Sequence, residues 1–158
     1  MLEFTVVEFP ETRLAGVTIE TDMERAESDC TAVWQAFWPR IAAELVPRAV
    51  IPENVHAFGV SRMIDEQRFF YSAMLQVESI RDLPGDMREM RIPGGLYVRC
   101  AVPSLARLAE AYTALYEQWP SAQGEYELDY QGVCFERYPP DFTHEKPFEI
   151  LAAVVRRG

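Results

Sequence analysis

The chain has 158 residues, 49% of them hydrophobic, enough for one domain with a buried core. Twenty-five acidic residues oppose 15 basic ones, and this formal net charge of −10, with no Lys/Arg stripe to offset it, argues against direct nucleic-acid binding. Cys30, Cys100 and Cys134 are odd in number and widely spaced, which argues against a disulfide framework or zinc site and fits a cytoplasmic chain, as do the missing signal-peptide pattern and the lack of any run of about 18 apolar residues.

In chain order, residues 2–9 and 14–20 read as strands by alternation. Thr21-Asp22-Met23-Glu24 has the form of a capping box and predicts the start of a helix. Ala26, Cys30, Val33, Trp34, Phe37, Trp38, Ile41 and Leu45 then recur at three- and four-residue spacing, and Pro39 is expected to bend or break that helix. Residues 55–63 and 68–78 follow as two strands, the second dense enough in Phe69, Phe70, Tyr71, Met74, Leu75 and Val77 to lie inside a sheet. Asp82 to Asp86 reads as a loop.

The pattern then restarts. Residues 87–102 form two short strands broken at Pro93-Gly94-Gly95. Ser104 stands at an N-cap position before a helix carrying Leu105, Leu108, Ala109, Tyr112, Leu115, Tyr116 and Trp119. Three further strands are expected over 126–129, 133–138 and 148–156. Trp38-Pro39 closes the first helix and Trp119-Pro120 the second, and Gly16-Val17 and Tyr97-Val98 lie on the strands that enter them. The expected fold class is α+β: one domain over 1–158, built from a duplicated strand–helix–strand–strand unit with halves of about 1–80 and 81–158.

Several of these segments, taken together, resemble the gyrase-inhibitor-like family, whose fold also forms the effector-binding domains of AraC-type and MerR-type transcription activators. They are Ile92-Pro-Gly-Gly-Leu-Tyr-Val98, Tyr116-Glu-Gln-Trp-Pro120, Glu125-Tyr-Glu-Leu-Asp129, Val133-Cys-Phe-Glu-Arg-Tyr138 and Pro147-Phe-Glu-Ile150. The likeness is clearest over 87–156. Cys100 to Ser104 stands where the family often has His-x-Gly, and Trp119-Pro120 replaces its Trp-Leu-Pro. The resemblance implies a curved antiparallel sheet with two helices flanking a central groove, lined by aromatics around a buried glutamate. Glu136 matches that glutamate, and Tyr97, Tyr138 and Phe148 match pocket aromatics.

Strand alternation independently puts Cys134, Glu136 and Tyr138 on one face and Val133 and Phe135 on the other. Among the helix aromatics, Trp38 and Trp119 are expected to reach the groove and Trp34, Tyr112 and Tyr116 to be core. Phe58 and Phe70 are weaker candidates from the first-half strands. His56 and His144 lack partners at metal-ligand spacing, Pro93-Gly94-Gly95 lacks the context of a phosphate cradle, and Cys134 reads as a small buried hydrophobe. No metal or cofactor is expected.

The reading that follows is a free-standing module that binds an aromatic, cationic small molecule, with Glu136 as the charge-selective group. A second reading is a metal-independent hydrolase of electrophilic, cyclopropane-bearing toxins, which the resemblance implies for some relatives, with Glu136 as catalytic carboxylate. A third is a protein partner such as DNA gyrase.

Overall fold

The computed structural model describes residues 2–49 and 55–158. Its elements are β1 (Phe4–Phe9), β2 (Thr12–Asp22), α1 (Ala26–Glu44), β3 (Ala57–Met63), β4 (Arg68–Gln76), β5 (Arg88–Ile92) and β6 (Gly95–Val102). A 3-10 turn (Leu105–Arg107) leads into α2 (Leu108–Thr113), a π-helical turn (Ala114–Gln118) and α3 (Trp119–Ala122), then β7 (Tyr126–Leu128), β8 (Cys134–Tyr138) and β9 (Phe148–Arg156).

The strands lie in the order β1-β6-β9-β8-β3-β4-β2-β5, all antiparallel, with β7 paired to the end of β9. Exchanging β1, β2, β3 and β4 with β5, β6, β8 and β9 returns the same order reversed, as a duplicated unit would. The centre of the sheet is the β3–β8 ladder, in which Gly59 faces Glu136 and Ala57 faces Tyr138.

Helix α1 packs on β2 and β4, and α2 packs on β6. Both helices therefore cover one face, leaving the β3–β8 seam between them. The buried stripe of α1 is Phe37 and Ile41, continued by its C-cap residue Leu45, and it meets Ala15, Ala73 and Leu75 of the sheet and Ala111, Leu115 and Trp119 of the second helical segment in one core cluster. Full burial of a side chain such as Phe37 contributes about 1.5–3 kcal/mol. The other face of the sheet holds a second cluster, Leu14, Phe58, Val60, Met74, Ile92, Tyr97, Val133, Phe135 and Leu151.

Two helix starts differ from the expectation. Thr21 stays in β2, whose ladder with β4 runs through Asp22–Arg68, and its hydroxyl donates to Asp29 at 2.7 Å instead of capping. The Asp22 carboxylate accepts the Arg25 backbone N–H at 2.9 Å, and the helix begins at Ala26. Ser104 makes no side-chain cap. Pro39 lies inside α1 without ending it, because burial of Phe37, Ile41 and Leu45 outweighs its missing donor. Among the described residues, no helix is long and apolar enough to cross a membrane.

Candidate functional site

Glu136 stands on β8 at the seam and is only 5% exposed. Its carboxylate takes hydroxyl hydrogen bonds from three tyrosines carried by three different elements. Tyr71 of β4 donates to Oε1 at 2.9 Å, Tyr138 of β8 donates to the same oxygen at 2.7 Å, and Tyr112 of α2 donates to Oε2 at 2.5 Å. Trp34 of α1 completes the chain by donating its indole N–H to the Tyr71 hydroxyl at 2.7 Å. Both helices thus reach down to one carboxylate.

Aromatic rings wall the group in. Phe148 of β9 stacks on Tyr138 with centroids 5.0 Å apart, Phe142 lies 4.7 Å from the same ring, and the Trp34 ring meets it edge-on at 5.7 Å. On the other side Tyr112 stacks on Tyr116 and Tyr116 on Tyr130, at 6.1 and 6.4 Å, a column that ends at the exposed Tyr130. The π-helical turn sets this column: the Trp119 N–H reaches back five residues to the Ala114 carbonyl, widening the helix where Tyr116 leaves it. A small cavity of about 40 Å³ lies beneath the column, bordered by Ser61, Tyr116, Tyr130, Gly132 and Cys134. An open hollow of about 480 Å³, bordered by Ala43, Glu44, Pro47, Arg48, Ser79 and Pro84, holds no aromatic ring and lies away from the carboxylate.

Among the described residues, no Lys, Arg or His pairs with Glu136. Burial pushes its carboxyl above the ordinary 4.5, and the hydroxyls of Tyr112, Tyr138 and Tyr71 pull it part of the way back. The magnitudes explain the balance: desolvating a carboxylate costs several kcal/mol, and bonds to a charged acceptor return about 1.5–3 kcal/mol each. All three tyrosines are driven well above their usual 10, first by their own burial and then by the neighbouring carboxylate, so they act as donors. The Cys30 and Cys134 thiols beside them are pushed up to about 12, mainly by burial, and stay protonated. Among the described residues no three His, Cys, Asp or Glu side chains converge as metal ligands.

Of the residues expected at the site, the structure brings together Glu136, Tyr138 and Phe148. It does not bring in Tyr97 or Phe58. Tyr97 pairs with Ala153 of β9 and Glu136 with Ile150; three residues apart on one strand, these positions face opposite ways. Tyr97 therefore packs on Phe135 beneath the sheet and donates its hydroxyl to the Pro93 carbonyl at 2.6 Å. Phe58 neighbours Gly59, the direct partner of Glu136, so it too points down, against Phe135. Trp38 is 49% exposed and meets the Trp34 ring edge-on, Trp119 is buried in the core under the second helical segment, and Phe70 is exposed.

Trp34, Tyr71 and Tyr112 take their places. Trp34 meets Tyr71 and Tyr138 from α1, and Tyr112 reaches Glu136 from α2. Alternation along β4 puts Tyr71 on one face with Phe69, Ala73 and Leu75, though Ser72 and Met74 on the other face are buried as well.

An aromatic-walled site with one buried carboxylate, at the seam of a symmetric antiparallel sheet, defines an α+β small-molecule-binding domain. The chain belongs to the family of GyrI-like small molecule binding domains, whose sequence pattern matches residues 2–154. No curated protein matches at a significant level. Among solved structures, SAV2435 bound to tetraphenylphosphonium superposes with a TM-score of 0.78 at 12% identity, over 97% of this chain and 94% of that one. The C-terminal domain of EcmrR gives 0.69 at 17%, over 99% of both chains. A hydrolase encoded by lin2189 from Listeria innocua gives 0.57 at 12%, over 97% and 92%. At these identities the likeness is one of fold.

Proposed function

We propose that the domain binds an aromatic, cationic small molecule between its two helices, with Glu136 as the ligand's counter-charge. The observation that carries this reading is a buried carboxylate with no cationic side chain paired to it among the described residues, solvated by tyrosine hydroxyls and walled by rings. A charge is rarely buried without a partner, and here the partners are neutral hydroxyls set among aromatic rings. Ring faces attract a cation by about 0.5–2 kcal/mol each, and the carboxylate adds sign selectivity. A structure of the same fold carries tetraphenylphosphonium, an aromatic cation, which makes that ion the natural first probe. The exposed Tyr116 and Tyr130 give the groove its solvent side. Three free thiols and an acidic surface fit a cytoplasmic receptor or sequestering role without nucleic-acid contact. Calorimetry with tetraphenylphosphonium against the neutral triphenylphosphine oxide tests the proposal: the cation binds more tightly. Equal affinity for both rejects it.

A second reading has one observation in its favour. Oε1 already accepts two hydroxyls and Oε2 only one, so Oε2 retains an acceptor position at which a water is activated. In that case Glu136 is the general base of a metal-independent hydrolase acting on an electrophilic ligand. Product formation from a cyclopropane-bearing electrophile, abolished in Glu136→Gln, would establish turnover.

A further inference from the structure

We propose that Gly59 and Trp34 are positioning residues that aim the Tyr71 hydroxyl at Glu136 and so favour the charged form of its carboxyl. This rests on the reading of Glu136 as the charged group of the ligand site.

Gly59 sits directly opposite Glu136 in the central ladder. A Cβ there would lie 2.2 Å from the Tyr71 hydroxyl oxygen and 2.7 Å from Glu136 Oε1. The glycine is needed for space and not for backbone conformation, since its φ is not in the left-handed region. The volume a side chain would occupy is where the Tyr71–Glu136 hydrogen bond runs. One half of the sheet thus supplies a bare backbone position so that the other half can bury a carboxylate against it.

Trp34 fixes the direction of that bond. An indole N–H only donates, and a tyrosine hydroxyl has a single proton. With the indole donating into its oxygen at 2.7 Å, Tyr71 directs its proton to Glu136 at 2.9 Å. Chained donors polarise one another, so the Trp34 contact strengthens the bond to the carboxylate. Tyr112 and Tyr138 show no second side-chain donor of this kind among the described residues. The titratable groups facing Glu136 are Tyr71 on β4, Tyr112 on α2, Tyr116 on the π-helical turn, Tyr138 and Cys134 on β8, and Cys30 on α1.

The test reads the Glu136 carboxyl itself, without ligand, by carbon-13 NMR titration of glutamate-labelled protein, followed by calorimetry with tetraphenylphosphonium. Tyr71→Phe raises the Glu136 titration midpoint. Trp34→Phe raises it less, and in a Tyr71→Phe background it raises it no further. Gly59→Ala raises it as Tyr71→Phe does, and the Gly59→Ala/Tyr71→Phe pair shows no additional rise. Trp34→Phe and Gly59→Ala proteins that are less heat-stable yet titrate at the wild-type midpoint would overturn the proposal, reducing both residues to packing. Should Gly59→Ala not fold, the Trp34 and Tyr71 variants decide the question alone. Midpoints that move as stated in a wild-type protein that does not bind tetraphenylphosphonium would keep the positioning role and remove the ligand reading.

Discussion

Replacing Glu136 with glutamine keeps the shape of the site and removes its charge. The amide oxygen can hold the position of Oε1, retaining the hydroxyls of Tyr71 and Tyr138, while the NH2 group faces Tyr112, whose hydroxyl turns to accept it. The second amide N–H and the turned Tyr112 hydroxyl proton lose their acceptor, at about 1–3 kcal/mol each, so thermal stability is measured beside binding. A cationic ligand loses one charge-assisted contact of about 1.5–3 kcal/mol, a roughly 10- to 150-fold fall in affinity. The neutral triphenylphosphine oxide, held by the same rings, loses much less. Calorimetric titration of wild-type and Glu136→Gln proteins with both compounds at pH 7 measures the difference. If the two ligands weaken by the same factor, or neither weakens, the carboxylate is not the counter-charge and the reasoning fails.

Three further outcomes follow from the same geometry. Because burial raises the Glu136 carboxyl above 4.5, the folded protein holds the proton more tightly than the unfolded chain; stability present below that value is lost as pH rises through the folded midpoint, so the melting temperature of Glu136→Gln should rise relative to the wild type between about pH 4 and pH 7 in thermal scans. Over the same window, binding of tetraphenylphosphonium weakens as pH falls. Tyr97→Phe should cost about 1 kcal/mol of stability through its lost bond to Pro93 yet leave tetraphenylphosphonium affinity unchanged, and Trp38→Ala should also leave it unchanged; a marked affinity loss in either would return that residue to the site. The Cys30 and Cys134 thiols, pushed up to about 12, should resist iodoacetamide at pH 8 in the native protein and react after denaturation; rapid native labelling, read by mass spectrometry, would show that the site stands open.

Much of the fold was legible because its signals are local. Alternation in 133–138 placed Glu136 and Tyr138 together and Phe135 opposite, as β8 shows. The recurrence of strands and helix was legible, but Trp38-Pro39, expected to close the first helix, lies inside α1, which runs on to Glu44. The capping box at Thr21 misled because the β2–β4 ladder, a tertiary interaction, claims that residue for a strand. Tyr97 and Phe58 were misplaced for a related reason. Which face of the sheet they occupy depends on the registers of β6 with β9 and of β3 with β8, and these join residues far apart in the chain. Helical periodicity puts Trp34 and Trp38 on one apolar face, with Trp38 expected at the groove and Trp34 in the core; in the structure Trp34 reaches Tyr71 while Trp38 meets solvent. The role of Gly59 had no sequence signal, since an empty position matters only once its cross-strand neighbours are known.

A crystal structure of the protein grown with tetraphenylphosphonium tests the central claim most directly. The account predicts the phosphonium within about 4–6 Å of the Glu136 carboxylate, with its phenyl rings against Trp34, Tyr112 and Tyr138. Occupancy of the hollow bordered by Ala43, Pro47 and Pro84, with Glu136 still covered by its three tyrosines, would contradict it.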